Sequence, residues 1–152
     1  MLNKRLLSTI SALTITATMF MGCQTTTPTP EAKFSGVKTI ELAYSETSKD
    51  MVVAEVTFEN GVPKDVNIDV KLEDGTMKSK LSADGGYIMD PNAQYLWHEQ
   101  IDLIENTIKE NNFDLSKITL TDEAGHTDAI SGVSMKISSY LNTVQKALDE
   151  VK

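Results

Sequence analysis

Four positions near the end of the chain carry residue types that could do chemistry together: Asp128, Ser131, Gly132 and Ser134. Two hydroxyls flank a residue without a side chain, just before the last amphipathic run. A hydroxyl there can be esterified. Glycine lets a phosphate approach the backbone, and the first turn of a helix offers unpaired N–H groups and the positive end of its dipole. Asp128 can brace the loop by accepting from the N–H two residues on. The same residues admit a plainer role, because serine is among the best helix-capping residues, and Ser131 or Ser134 could simply cap.

Elements must hold these residues in place. Ile137, Leu141, Val144, Leu148 and Val151 recur at steps of four and three, the mark of a helix with one buried face. Upstream the period changes to two. Ile40, Leu42 and Tyr44 form one alternating run, Val52, Ala54, Val56 and Phe58 a second, and Val66, Ile68, Val70 and Leu72 a third. Asn60-Gly61 between the last two is a strong hairpin signal, since both residues tolerate positive φ. Pro63 stands at the start of the third strand, where a missing donor costs little.

Asp90-Pro91 predicts a helix start, carried on by Trp97, Ile101, Ile104 and Ile108 and stopped at Asn111-Asn112. Ile118 and Leu120 suggest a further strand, and Ala129-Ile130 a short extended piece before the final helix. The order predicts one α+β domain over residues 36–152, an antiparallel sheet with two principal helices.

Asp128-Ala129-Ile130-Ser131-Gly132-Val133-Ser134 resembles the pattern Asp-x-x-(Ser/Thr)-Gly-Ala-(Thr/Ser) of FMN-binding-domain proteins, in which the final hydroxyl can carry FMN through a phosphoester. The matching position is Ser134. Two residues depart from the pattern: Val133 replaces the commoner Ala and is bulkier, and Ser134 replaces the commoner Thr. Val52 to Val70 around Asn60-Gly61, Tyr95 to Gln100, and Thr119 to Asp128 also look like lipoproteins of this group. The resemblance implies covalent FMN on Ser134, with Asp128, Ser131 and Gly132 forming the rest of its binding motif. It further implies a flavin transferase as partner and electron relay to redox partners in place of catalysis.

The chain's beginning supplies an address. Lys4 and Arg5 precede an uncharged run from Leu6 to Met21 and then Gly22-Cys23. That run would span roughly 24 Å as a helix, short of the ~30 Å hydrocarbon core. It reads as a signal peptide over residues 1–22. Phe20-Met21-Gly22-Cys23 looks like a bacterial lipobox, in which the Cys receives lipid on its sulfur. Cys23 is the sole cysteine, so no disulfide forms within one chain and lipidation explains the lone thiol. The expected location is the extracytoplasmic face of a bacterial membrane. Residues 23–35 read as the lipidated Cys and a polar, proline-bearing linker, and the ten residues up to Lys33 reach roughly 35 Å at full stretch.

Without residues 1–22, which hold Lys4 and Arg5 and no acid, 12 basic and 22 acidic residues remain, a net charge of −10. Such a chain repels phosphate backbones, which excludes nucleic acid as a partner. His98 and His126 are the only histidines and fall in no metal-binding spacing. No Gly-x-Ser-x-Gly elbow is present. Ser82-Ala83-Asp84-Gly85-Gly86-Tyr87 reads as a glycine-rich turn, with Tyr87 a candidate neighbour of a flavin ring, and Trp97 as core. Two functional classes stay open: a membrane-tethered flavin carrier, and a flavin-free surface-interaction lipoprotein on the same fold.

Overall fold

The computed structural model describes residues 33–151. The expected signal peptide, Cys23 and most of the expected linker lie outside them. Three strands, β1 (Gly36–Ala43), β2 (Met51–Glu59) and β3 (Val62–Lys71), form an antiparallel sheet in the order β1-β2-β3. Helix α1 (Lys78–Ala83) follows the sheet, then α2 (Trp97–Glu110) and α3 (Ser138–Asp149). The expected α+β class is the observed one.

The alternation read from the sequence decides which face is buried. Register pairs Ala54 with Ile40 on one side and Ile68 on the other, and Val52 with Leu42 and Val70, so each apolar set shares one face. Helices α2 and α3 cover that face. Ile104 and Ile108 from α2 and Tyr140 and Val144 from α3 are fully buried against Val56, Ile68 and Val70. Burying each such side chain contributes about 1.5–3 kcal/mol.

Asn60 and Gly61 both take positive φ, +52° and +75°, as the hairpin requires. A bulge between Thr57 and Phe58 sets Phe58 opposite Pro63, which absorbs the proline's missing donor. Chain engagement begins inside the predicted linker: Gly61 N–H donates to Phe34 C=O at 2.7 Å and Asn60 N–H to Ser35 Oγ at 2.8 Å.

Four expectations are corrected. Asp90-Pro91 does not start α2: the Asp90 carboxylate accepts from Asn92 N–H and its carbonyl from Ala93 N–H, making a turn. The helix starts at Trp97, where Glu99 accepts from Leu96 N–H at 2.7 Å. Ile118 and Leu120 form no strand. A 3-10 turn at Leu115–Lys117 precedes them, and the Thr127 hydroxyl takes the Thr119 carbonyl that a ladder would have used. Ala129-Ile130 is bent, not extended. Ser82 and Ala83, read as turn, close the short helix α1, whose six residues are too few to show a period.

Strand β3 is an edge, and side chains close it. Glu105 of α2 accepts from Ile68 N–H at 2.6 Å, while Asp69 accepts from Val70 N–H and from Ser79 of α1. Such capping hides donors that would otherwise recruit a foreign strand. Burial pushes the Glu105 carboxyl up to about 7 from 4.5, against the opposing pull of the Ile68 hydrogen bond. The folded chain therefore holds this proton more tightly than the unfolded one, and stability falls as pH rises from about 4.5 to about 7. Glu105→Gln, which keeps an acceptor without a charge, should flatten that slope. At pH 8 it should raise stability by about 1 kcal/mol, a figure reduced for partial exposure and read from denaturant midpoints across pH.

Candidate functional site

The segment between α2 and α3 is built outward from Asp122. Its carboxylate accepts from Gly125 N–H at 2.8 Å and His126 N–H at 3.0 Å, and pairs with His126 Nδ1 at 2.7 Å. The His126 backbone bond, ahead of its side-chain bond, holds the carboxyl down to about 2. Thr121 N–H donates to His126 C=O at 2.8 Å, closing the loop. Gly125 abuts Ser138, and its carbonyl accepts from Ile137 N–H at 2.7 Å. The loop thereby fixes where α3 begins.

Between these anchors lie Asp128 to Ile137. Ile130, Val133, Met135 and Ile137 are buried, whereas Asp128, Ser131, Ser134 and Lys136 are exposed. The chain turns at Ser131-Gly132, with Val133 N–H donating to Ile130 C=O at 3.3 Å. Gly132 has φ +89°, and a Cβ there would sit 2.5 Å from Tyr95 and 3.2 Å from Leu103. Both conformation and space demand glycine. Gln100, fully buried on α2, accepts from Ser134 N–H at 2.9 Å through Oε1 and donates through Nε2 to Tyr95 C=O at 3.0 Å.

Three local expectations change. Helix α3 begins at Ser138, four residues beyond Ser134, with Ile137 at the N-cap, so neither Ser131 nor Ser134 caps it and its first turn does not open at Ser134. Asp128 braces no Asx turn. The Thr127 hydroxyl does the equivalent work, accepting from Ala129 N–H at 3.0 Å. Val133 is buried, so its extra bulk fills the interior and leaves the exposed side of Ser134 open.

The segment fits a phosphoester in three respects. The Ser134 side chain is exposed and its hydroxyl makes no hydrogen bond, its backbone N–H is held by Gln100, and Lys136 two residues on is exposed without an ion pair among the described residues. Gln100 was not singled out from the sequence. Its signal was there: a polar residue three after Trp97 and four before Ile104, inside an apolar stripe.

Other groups fall elsewhere. Ser82 Oγ lies 3.0 Å from His98 Nδ1, a nucleophile-and-base spacing, but Ser82 is wholly buried and cannot meet a substrate. Trp97 is core, donating to Tyr140 Oη at 3.3 Å. Burial keeps the Tyr140 phenol protonated, its acidity pushed far below the usual value. Lys78 Nζ stands 4.3 Å from the Tyr87 ring, 5.1 Å from Trp97 and 5.6 Å from Tyr44, so the ring proposed to face a flavin already faces an ammonium. No metal-binding cluster of His, Cys, Asp or Glu occurs among the described residues.

Replacing Gln100 by Leu keeps the volume and leaves Ser134 N–H and Tyr95 C=O without partners. The expected loss is about 1–3 kcal/mol, with faster amide exchange confined first to residues 131–137. Equal protection of those amides in wild type and variant would contradict the role given to Gln100.

Comparison with known proteins gives no matching family model and no matching curated sequence. A Clostridium thermocellum protein, solved in solution by NMR in a structural-genomics effort, is 31% identical, with a TM-score of 0.56 over 78% of this chain and 92% of that one. The likeness concerns ancestry and fold, and brings no activity or ligand with it. At that identity and coverage, the chain belongs to the same family as the C. thermocellum protein.

Proposed function

We propose that the chain is a lipid-anchored extracytoplasmic flavin carrier of the FMN-binding-domain type, with FMN on Ser134 and the anchor on Cys23. One observation carries the reading. Ser134 offers an exposed, unbonded hydroxyl on a backbone that Gly132 and Gln100 hold still. A flavin transferase would move FMN from FAD: the pyrophosphate bond breaks, AMP leaves, and Ser134 Oγ gives up its proton as it bonds to phosphorus. Bound FMN supplies the redox chemistry, and the chain supplies position. Lys136 offsets phosphate charge near Ser134.

A second reading, a flavin-free surface-interaction lipoprotein, draws on a different observation. Ser134 N–H is committed to Gln100, and the first turn of α3 opens four residues away, so two donors expected for the phosphate are not at Ser134. Mass separates the two readings. Co-expressed with a flavin transferase and FAD, the mature chain should gain the mass of FMN less one water and fluoresce as a denatured gel band. Ser134→Ala should abolish both signals with an unchanged denaturant midpoint, because the side chain is exposed and unbonded. Ser131→Ala should weaken modification only. An unmodified wild type beside a modified Val133→Ala, Ser134→Thr variant would favour the flavin-free reading.

The anchor is tested by fractionation. Among the described residues no helix is long and apolar enough to cross a membrane, so attachment would rest on the segment before Lys33. Cys23→Ser should move the protein from the membrane to the soluble fraction. Unaltered membrane partitioning would remove the lipid from the proposal.

A further inference from the structure

The domain has two unlike ends. Helices α2 and α3 both run from the Ser134 end toward the β2–β3 hairpin: Gln100 holds Ser134, while Asn112 and Phe113, beyond the other end of α2, lie beside Pro63. Gln100 and Glu110, both within α2, are ~15 Å apart along the helix axis at 1.5 Å per residue. The hairpin end is also where the chain arrives. Lys33 packs on Gly61, Phe34 bonds Gly61 and stacks edge-on against Phe58 at 5.9 Å, and Ser35 bonds Asn60.

That end exposes apolar side chains and carries little of the chain's acidic excess. Phe34 is 38%, Val37 55% and Val62 49% exposed. Between hairpin and helix ends lie two adjoining hollows of about 250 and 230 Å³, which share Pro63, Asn112 and Phe113. Lys33, Lys38, Lys64 and Lys109 stand against Glu59, Asp65, Glu110, Asp114, Asp149 and Glu150 there, so most of the acidic excess of the chain lies elsewhere. The opposite end exposes Ile88 and Leu96 too, but Asp84, Asp90 and Glu99 stand beside them in the chain. Carboxylates so placed are repelled by an anionic headgroup layer.

From this polarity we infer that the hairpin end seats on the lipid headgroup layer and holds Ser134 on the side away from the bilayer. The inference rests on the Cys23 anchor proposed above. A tether joined at Lys33 brings this end to the lipid first, and Phe34, Val37 and Val62 gain by entering the interface. The opposite end then faces water, so a partner reaches Ser134 from the aqueous side.

The test couples a maleimide lipid to the sole cysteine of the mature chain, so it does not depend on lipidation in the cell. Anchored in nanodiscs of phosphatidylcholine and phosphatidylglycerol bearing a gadolinium-chelate headgroup lipid, amide signals of Phe34, Asn60, Gly61 and Val62 should broaden beyond detection. Those of Gly132, Ser134 and Lys136 should keep their intensity. Val62→Glu should restore the hairpin signals without shifting resonances elsewhere. Broadening at Ser134 first, broadening at neither end, or persistent broadening in Val62→Glu would each overturn the orientation. Failure of Cys23→Ser to release the protein from cells would instead count against the anchor itself.

Discussion

One buried amide organises the region around Ser134. Gln100 sits on the apolar face of α2, where an unpaired carboxamide would cost about 1–3 kcal/mol, and it avoids that cost by bonding Tyr95 C=O and Ser134 N–H at once. The two bonds tie the residues before α2 to the segment before α3. Gly132 fits closely beside that tie, against Tyr95 and Leu103. Once both contacts form, the alternation of buried Val133, Met135 and Ile137 leaves Ser134 and Lys136 to solvent. The exposed hydroxyl is thus a product of the core.

The features legible in the sequence were those that repeat. Three alternating runs gave three strands, and Asn60-Gly61 gave the hairpin with both φ values positive. The stripe Trp97, Ile101, Ile104, Ile108 gave the buried face of α2. Helix starts were not legible, because their signals serve turns equally well. Asp90 can cap a helix or bond Asn92 N–H, and the local bond wins when six residues still separate it from the apolar stripe. A strand at Ile118-Leu120 failed for a similar reason: side chains and a tight loop satisfied the backbone first.

The site residues divide along the same line. Gly132 and Ser134 could be singled out from type and spacing, and glycine at 132 is required by both φ and contact. The supposed source of positive charge was misplaced, since α3 opens at Ser138 and Lys136 is the nearer cation in sequence. Gln100 lay over thirty residues away, and no local pattern links it to Ser134.

Lys78 gives the molecule a feature of another kind. Its ammonium is held by the faces of Tyr44, Tyr87 and Trp97, with no carboxylate partner among the described residues. Exposed pairs such as Lys49 with Glu73 or Lys80 with Asp84 weaken as dissolved ions shorten the Debye length to ~10 Å at 0.1 M. A half-buried cation among ring quadrupoles is screened much less. The docking of α1 onto the aromatic cluster is therefore built to survive changes of ionic strength that dissolve the surface pairs around it.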